Sequence, residues 1–434
     1  MDRRSFLKLP ALLPLVDLGL FRSEPHHFRY ESVIGTSMDL MVGSSSSRVA
    51  QDACRIVLDE IERLRLILDT RDPVSEISRL ERASMCHDAS RELGEVLNAY
   101  EDWERRTGGV FSIRPRGADA PRDVDALGKA YIIDRAAAAA LKAWPSIDTL
   151  LLNIGGDIVS RGRGSTIAIA DHNASYDNAP PISAIDLRDA AVATSGTYAR
   201  GSHLKDARTG EPWNSPVAAT VVARDAVTAN ALATTLCLAG AEDGLRLVES
   251  TPGAEALWSA SGVLERTSGF ADLERPVALR PRANTTWPSG YQVTITLPLT
   301  AARSSKRPYV AVWVDDSSGN LVRVLAVWGD NSKYWSELST VWNHVHGKAD
   351  QFRAVTRATR PAGKYELVWD GLNNEHNPVP PGSYRITVET NQEHGTYAKQ
   401  AGTITVGDSP TTVTLPSTAN FDAVLVKYGP QVAN

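Results

Sequence analysis

The feature that most constrains this chain is a single change of period. Through residue 272 long stretches carry apolar residues at helical spacing, whereas beyond residue 290 nearly every segment alternates with period two. Residues 273–290 separate the two textures; Arg275-Pro276, Arg280-Pro281-Arg282 and Trp287-Pro288 punctuate this linker without any periodicity. The chain is therefore expected to fold as an α+β domain over residues 28–272, followed by an all-β immunoglobulin-like sandwich over residues 291–434. At 434 residues it is also too long for one compact core.

In the first domain, residues 30–42 read as one strand containing Gly35-Thr36. Val49, Ala53, Ile56, Val57, Ile61, Leu64 and Leu68 give an amphipathic helix that ends at residues 69–73. A short helical turn follows at residues 75–80, and Ser90 is the expected N-cap of a helix that Gly108-Gly109 stops. Gly128-Lys129-Ala130-Tyr131 leads into an Ala-rich helix over residues 134–144. Leu150-Leu-Leu-Asn-Ile154 is a fully apolar strand running into Gly155-Gly156-Asp157, where two glycines imply a tight hairpin or a backbone that something approaches closely. Strands are expected at residues 165–170, 184–193 and 217–223, and helices at residues 228–239 and 242–250.

Residues 191–240 hold the polar chemistry. Asn230 and Thr234 stand i, i+4 apart and share one face of a helix otherwise lined by Ala229, Ala231 and Ala233, so a bulky ligand can approach the backbone. His203-Leu204-Lys205-Asp206 lies one strand earlier. A formal charge of -5 with no polybasic run points away from nucleic acid and anionic membranes. The cysteines number three, without a CxxC pair, and Cys54 and Cys237 fall in apolar helical patterns as buried thiols. Arg3-Arg4-Ser5-Phe6-Leu7-Lys8 resembles a twin-arginine export signal, so residues 1–27 are read as a signal segment and the protein as periplasmic. The apolar run after it is short and broken by Pro10, Pro14 and Asp17, too short for a membrane span.

Five segments in order resemble the ApbE family of FAD:protein FMN transferases. They are Ile34-Gly35-Thr36, residues 70–80, residues 123–134, Asn153-Ile-Gly-Gly-Asp157, and Ala193-Thr-Ser-Gly196 through Thr234. The resemblance implies FAD held between two lobes with magnesium at its pyrophosphate. Its FMN half would pass to a Ser or Thr hydroxyl of an acceptor redox protein, or FAD would be hydrolysed to FMN and AMP. It implies FAD contacts at Ile34, Arg71, Val110, Phe111, Ser112, Asp123, Lys129 and Leu204. It likewise places the metal at Ala126, Asn230, Ala233 and Thr234, and the catalytic base at His203. The chain departs from the family pattern at Asn230, where an aspartate is usual, and at Arg71, Glu81, Ile34 and Asp125-Ala126. Oxygen donors suit magnesium, and a histidine titrates near neutrality as a general base must.

The second domain resembles a β-rich domain of unknown function found in predicted periplasmic proteins. Its strands are expected at residues 291–297, 309–314, 321–328, 363–369, 383–390 and 403–406. His344 and His346 form an HxH readable as two ligands on one face of a strand, but no third ligand accompanies them. Trp313, Trp328, Trp335, Trp342 and Trp369 are expected in the sandwich core.

Overall fold

A computed structural model describes residues 13–14, 25–82, 89–117, 120–172, 174, 176–197, 206–211, 213, 215–275, 286–300, 307–329, 332–347, 355–357, 359–360, 362–392 and 395–430. The chain divides into two compact units, Met1–Asn173 with Pro181–Val277 and Ala174–Pro180 with Ala278–Asn434.

The first unit contains β1 (Leu13–Pro14), β2 (His26–Val33), β3 (Thr36–Gly43), α1 (Ser47–Leu68), α2 (Glu76–Arg82), α3 (Arg91–Arg106) and α4 (Asp125–Ala143). There follow β4 (Thr149–Ile154), β5 (Asp157–Gly162), β6 (Ser165–Ala170), β7 (Pro181–Leu187), β8 (Ala190–Gly196), β9 (Val217–Ala223) and α5 (Ala226–Glu249). The unit closes with β10 (Glu255–Ala260), β11 (Val263–Arg266), α6 (Phe270–Leu273) and β12 (Glu274–Arg275). Eight strands form one antiparallel sheet in the order β11-β10-β9-β8-β5-β4-β3-β2, and β1, β6, β7 and β12 form a smaller one.

Alternation along the strands assigns each face of the large sheet. Met38, Leu40, Val42, Leu150, Leu152 and Ile154 join the core under α1, α3, α4 and α5. Met41, Leu151, Ile158, Val192 and Val222 pack instead against Ile167, Ile169, Ile185 and Leu187 of the small sheet. Both faces of β4 are thus covered, which is why it reads as an unbroken apolar run.

Several elements differ from the sequence expectation. Residues 30–42 are a hairpin, β2 and β3, that starts at His26 and turns at Ile34-Gly35, where both φ angles are positive (43° and 81°). The strand expected at residues 184–193 is two strands in different sheets, split at Arg188-Asp189. Helix α4 starts nine residues earlier than the Ala-rich run, because Leu127, Gly128 and Ala130 are already buried and Gly128 lies against Leu68. The two helices expected after Thr228 are one element broken at Gly240 (φ 79°), capped by Asp225, whose side chain accepts from Thr228 N. Strands β10 and β11 carry no signal that the periodicity revealed. Cys54 and Cys237 are buried free thiols, and complete burial pushes the Cys237 thiol up.

The second unit contains β13 (Tyr291–Leu299), β14 (Tyr309–Asp315), β15 (Leu321–Trp328), a 3-10 turn (Ser332–Glu337), α7 (Ser339–His344), β16 (Thr356–Arg357) and β17 (Gly363–Trp369). It continues through β18 (Gly382–Asn391), β19 (Ala398–Val406), β20 (Thr411–Leu415) and β21 (Val424–Pro430). Sheet β17-β13-β21-β20 and sheet β16-β15-β14-β18-β19 share one core, Val293, Ile295 and Leu297 meeting Val312, Val314, Ile386 and Val388. Trp328 and Trp369 lie in that core, while Trp313 and Trp335 sit in a second cluster with Leu338, Val341 and Val345, against which the half-buried Trp342 packs. The HxH does not lie on a strand. His344 ends α7 and pairs with Asp315 at 2.9 Å, and His346 follows in a turn with φ 51°. No described helix is long and apolar enough to cross a membrane.

Candidate functional site

Two hairpin turns stand together at one end of the large sheet. The β4–β5 turn is Gly155-Gly156 with φ 59° and 92°, the pair of positive φ angles that a type I′ two-residue connection uses. A Cβ on Gly155 would come within 2.8 Å of Thr36 Cγ2, so the glycine is also needed for the approach of β3. Asn153 Oδ1 accepts from Gly156 N at 3.1 Å and pins the turn. Beside it the β2–β3 turn holds Ile34 at φ 43°, a strained conformation for a β-branched residue. Arg71 reaches over this turn, its Nη1 3.3 Å from where a Cβ on Gly35 would lie, and its Nε donates to Asp69 at 3.1 Å.

Asp157, the first residue of β5, joins the sheet to α4 and α5. It is only 3% exposed. Lys129 from α4 places Nζ 2.8 Å from its Oδ2, and Asn230 from α5 donates Nδ2 to the same oxygen at 3.0 Å. A carboxylate accepts only, so the amide must present its nitrogen to Asp157. This leaves Asn230 Oδ1 buried with no hydrogen-bond partner among the described residues, an omission worth about 1–3 kcal/mol. One turn further along α5, Thr234 Oγ1 meets Ser195 Oγ at 3.1 Å. The i, i+4 pair therefore does share a face: Asn230 addresses β5 and Thr234 addresses β8.

The remaining expected residues divide. Ala126 lies in the first turn of α4 and Ala233 is fully buried in the helical core, so either reaches a ligand only through its carbonyl. Val110 and Phe111 are also core residues, with Phe111 stacked on Tyr100 at 5.4 Å; their side chains face inward, so any ligand contact there would fall to backbone. Ser112 donates to Glu104 at 3.1 Å, and Asp123 accepts from Asp125 N at 3.1 Å and pairs with Arg116 at 3.4 Å. Asp125 accepts from Thr70 Oγ1 at 2.9 Å, which ties the loop after α1 to the start of α4. His203 and Leu204 lie outside the described residues. Asp157 ends a segment that the sequence reading counted toward the site without giving this carboxylate a role of its own; the Gly-Gly-Asp run reads first as a turn.

The donors at Asp157, Asn230, Ser195 and Thr234 are oxygens of mixed type. Among the described residues no three His, Cys, Asp or Glu side chains gather into a cage. A hard cation does not need one, since it accepts amide, hydroxyl and carbonyl oxygens and keeps waters. The orphaned Asn230 Oδ1 fits such an ion.

Residues 112–258 match the model of the ApbE family, and residues 290–423 match that of a predicted periplasmic protein family, DUF2271. A FAD:protein FMN transferase of Vibrio cholerae serotype O1 is 34% identical over 116 residues, 24% of this chain and 35% of that relative. The chain thus spans about a third of the length of the curated relative it matches. The crystal structure of the ApbE protein of Thermotoga maritima superposes on 58% of this chain and 99% of its own with a TM-score of 0.51 at 22% identity, a likeness of fold. Residues 112–258 of this chain are thus similar to the ApbE family, and a segment similar to the DUF2271 family follows them.

Proposed function

We propose that the chain is an exported, magnesium-dependent FAD:protein FMN transferase that moves FMN from FAD onto a Ser or Thr hydroxyl of a redox partner protein. The observation that carries the reading is the buried, unpartnered Oδ1 of Asn230 beside the buried carboxylate of Asp157. An acceptor oxygen so placed asks for a cation or a donor, and the ApbE match supplies the chemistry. Asn230, Thr234 and the carbonyls of Ala126 and Ala233 would hold the ion. Magnesium, when bound, neutralises the diphosphate and so eases attack at phosphorus.

The chain's own residues do the rest. Arg71 and Lys129 offer cations to the diphosphate, Ile34, Ser112, Asp123 and Leu204 border the dinucleotide, and Gly155-Gly156 let the backbone come close. In the transfer, the acceptor oxygen bonds to the flavin-side phosphorus, the anhydride bond breaks, and AMP leaves. His203 takes the hydroxyl proton. The twin-arginine-like run and the match to a predicted periplasmic family support export to the periplasm. The second unit, read as an immunoglobulin-like sandwich, would recruit or orient the acceptor.

Asn230 favours a second reading, since an amide lacks the formal charge of the family's aspartate: a protein that holds or hydrolyses FAD without transfer. Incubation with FAD, Mg2+ and a candidate acceptor separates the two. AMP release with an acceptor mass gain of one FMN is expected. AMP alone would assign hydrolysis, flavin bound unchanged would assign holding, and a chain that binds no flavin would end both readings.

A further inference from the structure

We propose that Lys129 is a counter-ion that occupies Asp157 until a diphosphate arrives, so that divalent cation and diphosphate bind this site cooperatively. The inference rests on the dinucleotide-and-cation reading of the site and adds its order of assembly.

Asp157 is buried, and its Oδ2 already takes two donors, the Lys129 ammonium at 2.8 Å and the Asn230 amide at 3.0 Å. With an amide on α5, Asp157 is the carboxylate that both Lys129 and Asn230 contact. Lys129 cancels its charge. A divalent ion entering at Asn230 Oδ1 would meet an ammonium held on the neighbouring carboxylate and gain little from a charge already compensated. The oxygen meant for it is present nonetheless, since Asn230 is 8% exposed and its Oδ1 has no partner among the described residues.

Lys129 is placed to move. Its side chain is 19% exposed, against 4% for that of Asp157, so the lysine is the partner nearer to solvent. A lysine head is a compact charge on a flexible four-carbon stem. A diphosphate offers it a more highly charged partner, and its departure leaves a buried carboxylate uncompensated next to an orphaned amide oxygen. Those two oxygens then receive the cation. Coupling of this kind is reciprocal, each ligand tightening the other by the same factor.

Titration of the full chain with Mn2+, followed by electron paramagnetic resonance, tests this, with ADP as the diphosphate probe. Saturating ADP is expected to tighten Mn2+ binding by the wild type at least tenfold. Lys129→Gln should bind Mn2+ without ADP at least tenfold more tightly than the wild type and lose most of the ADP effect, while Lys129→Arg keeps it. Asp157→Asn should abolish Mn2+ binding in either condition. A Lys129→Gln protein that binds Mn2+ no more tightly than the wild type in the absence of ADP overturns the proposal, as does Asp157→Asn with undiminished Mn2+ affinity. Quenching of FAD fluorescence tests the underlying reading separately. A chain that binds neither FAD nor ADP defeats that reading, whereas the nucleotide-free Lys129→Gln titration still decides the counter-ion.

Discussion

At position 230 the choice between amide and carboxylate changes two things at once. Asn230→Asp would remove the Nδ2 donor from Asp157 Oδ2 and set a second carboxylate against it. Like charges at this spacing repel, and in a buried site the loss is of order 1–3 kcal/mol. We expect the variant to melt a few degrees below the wild type in chelator, at roughly 2–4 °C per kcal/mol for a domain of this size. Mg2+ should restore the loss and raise its melting temperature more than that of the wild type. Equal Mg2+ shifts in the two proteins, read by scanning fluorimetry, would remove the metal from α5. At this scale the sequence revealed the residues that carry a polar head on a helix: Lys129, Asn230 and Thr234 were readable from spacing and motif. It included Asp157 in a family-like segment but gave its carboxylate no role, because an aspartate after two glycines serves a turn as well as a site. It also offered Val110 and Phe111 as contacts, since no motif distinguishes a backbone contact from a core side chain.

Between elements, one half-buried carboxylate joins α4 to α5. Asp134 accepts from Ala226 N at 2.8 Å, capping the first turn of α5, with Arg161 at 3.4 Å. Burial, and then the charge of Asp225 at the same helix start, push its pKa up to about 7. The folded state therefore keeps a proton that the unfolded chain releases near its ordinary pKa of about 3.9. Stability from this group is complete below that value, falls as pH rises toward 7, and is level above. Asp134→Asn stays neutral throughout, so its urea stability relative to the wild type should improve by roughly 1–3 kcal/mol between pH 5 and pH 8. Parallel pH profiles would mean that Asp134 is already ionised in the folded protein. Elements were legible where local chemistry decides them: Ser90 caps α3 as expected, accepting from Leu93 N. They were not where packing decides them. The start of α4 is set by burial against Leu68 rather than by its alanines, and β7 parts from β8 because the two strands join different sheets.

On the scale of the whole molecule, the change of period separates helix-rich from strand-rich sequence but does not show that the second unit is discontinuous. Ala174–Pro180 belongs to it although it lies inside the sequence of the first. Nothing in that segment alternates or repeats, and its partners are more than 150 residues away, so no local signal marks it. Asp177 N donates to Glu366 O at 2.6 Å and Asn178 exchanges two hydrogen bonds with Val368, which covers β17, the end strand of its sheet. Such an edge is otherwise open to pairing with another chain. The Asp177 carboxylate accepts from Trp328 Nε1 at 2.8 Å and pairs with Arg360 at 2.6 Å, both charged side chains being largely buried. Removing one partner of a buried pair costs more than the pair contributes, typically about 3–5 kcal/mol. Asp177→Ala should therefore destabilise the second unit although the substitution lies between β6 and β7. Hydrogen exchange on the full chain gives the discriminating readout. Protection is expected to fall across β13, β15 and β17 and to hold across α1, β3 and β4. If protection fell in the first unit instead, residues 174–180 would be an ordinary β6–β7 loop, and the second unit would be complete from residue 278 onward.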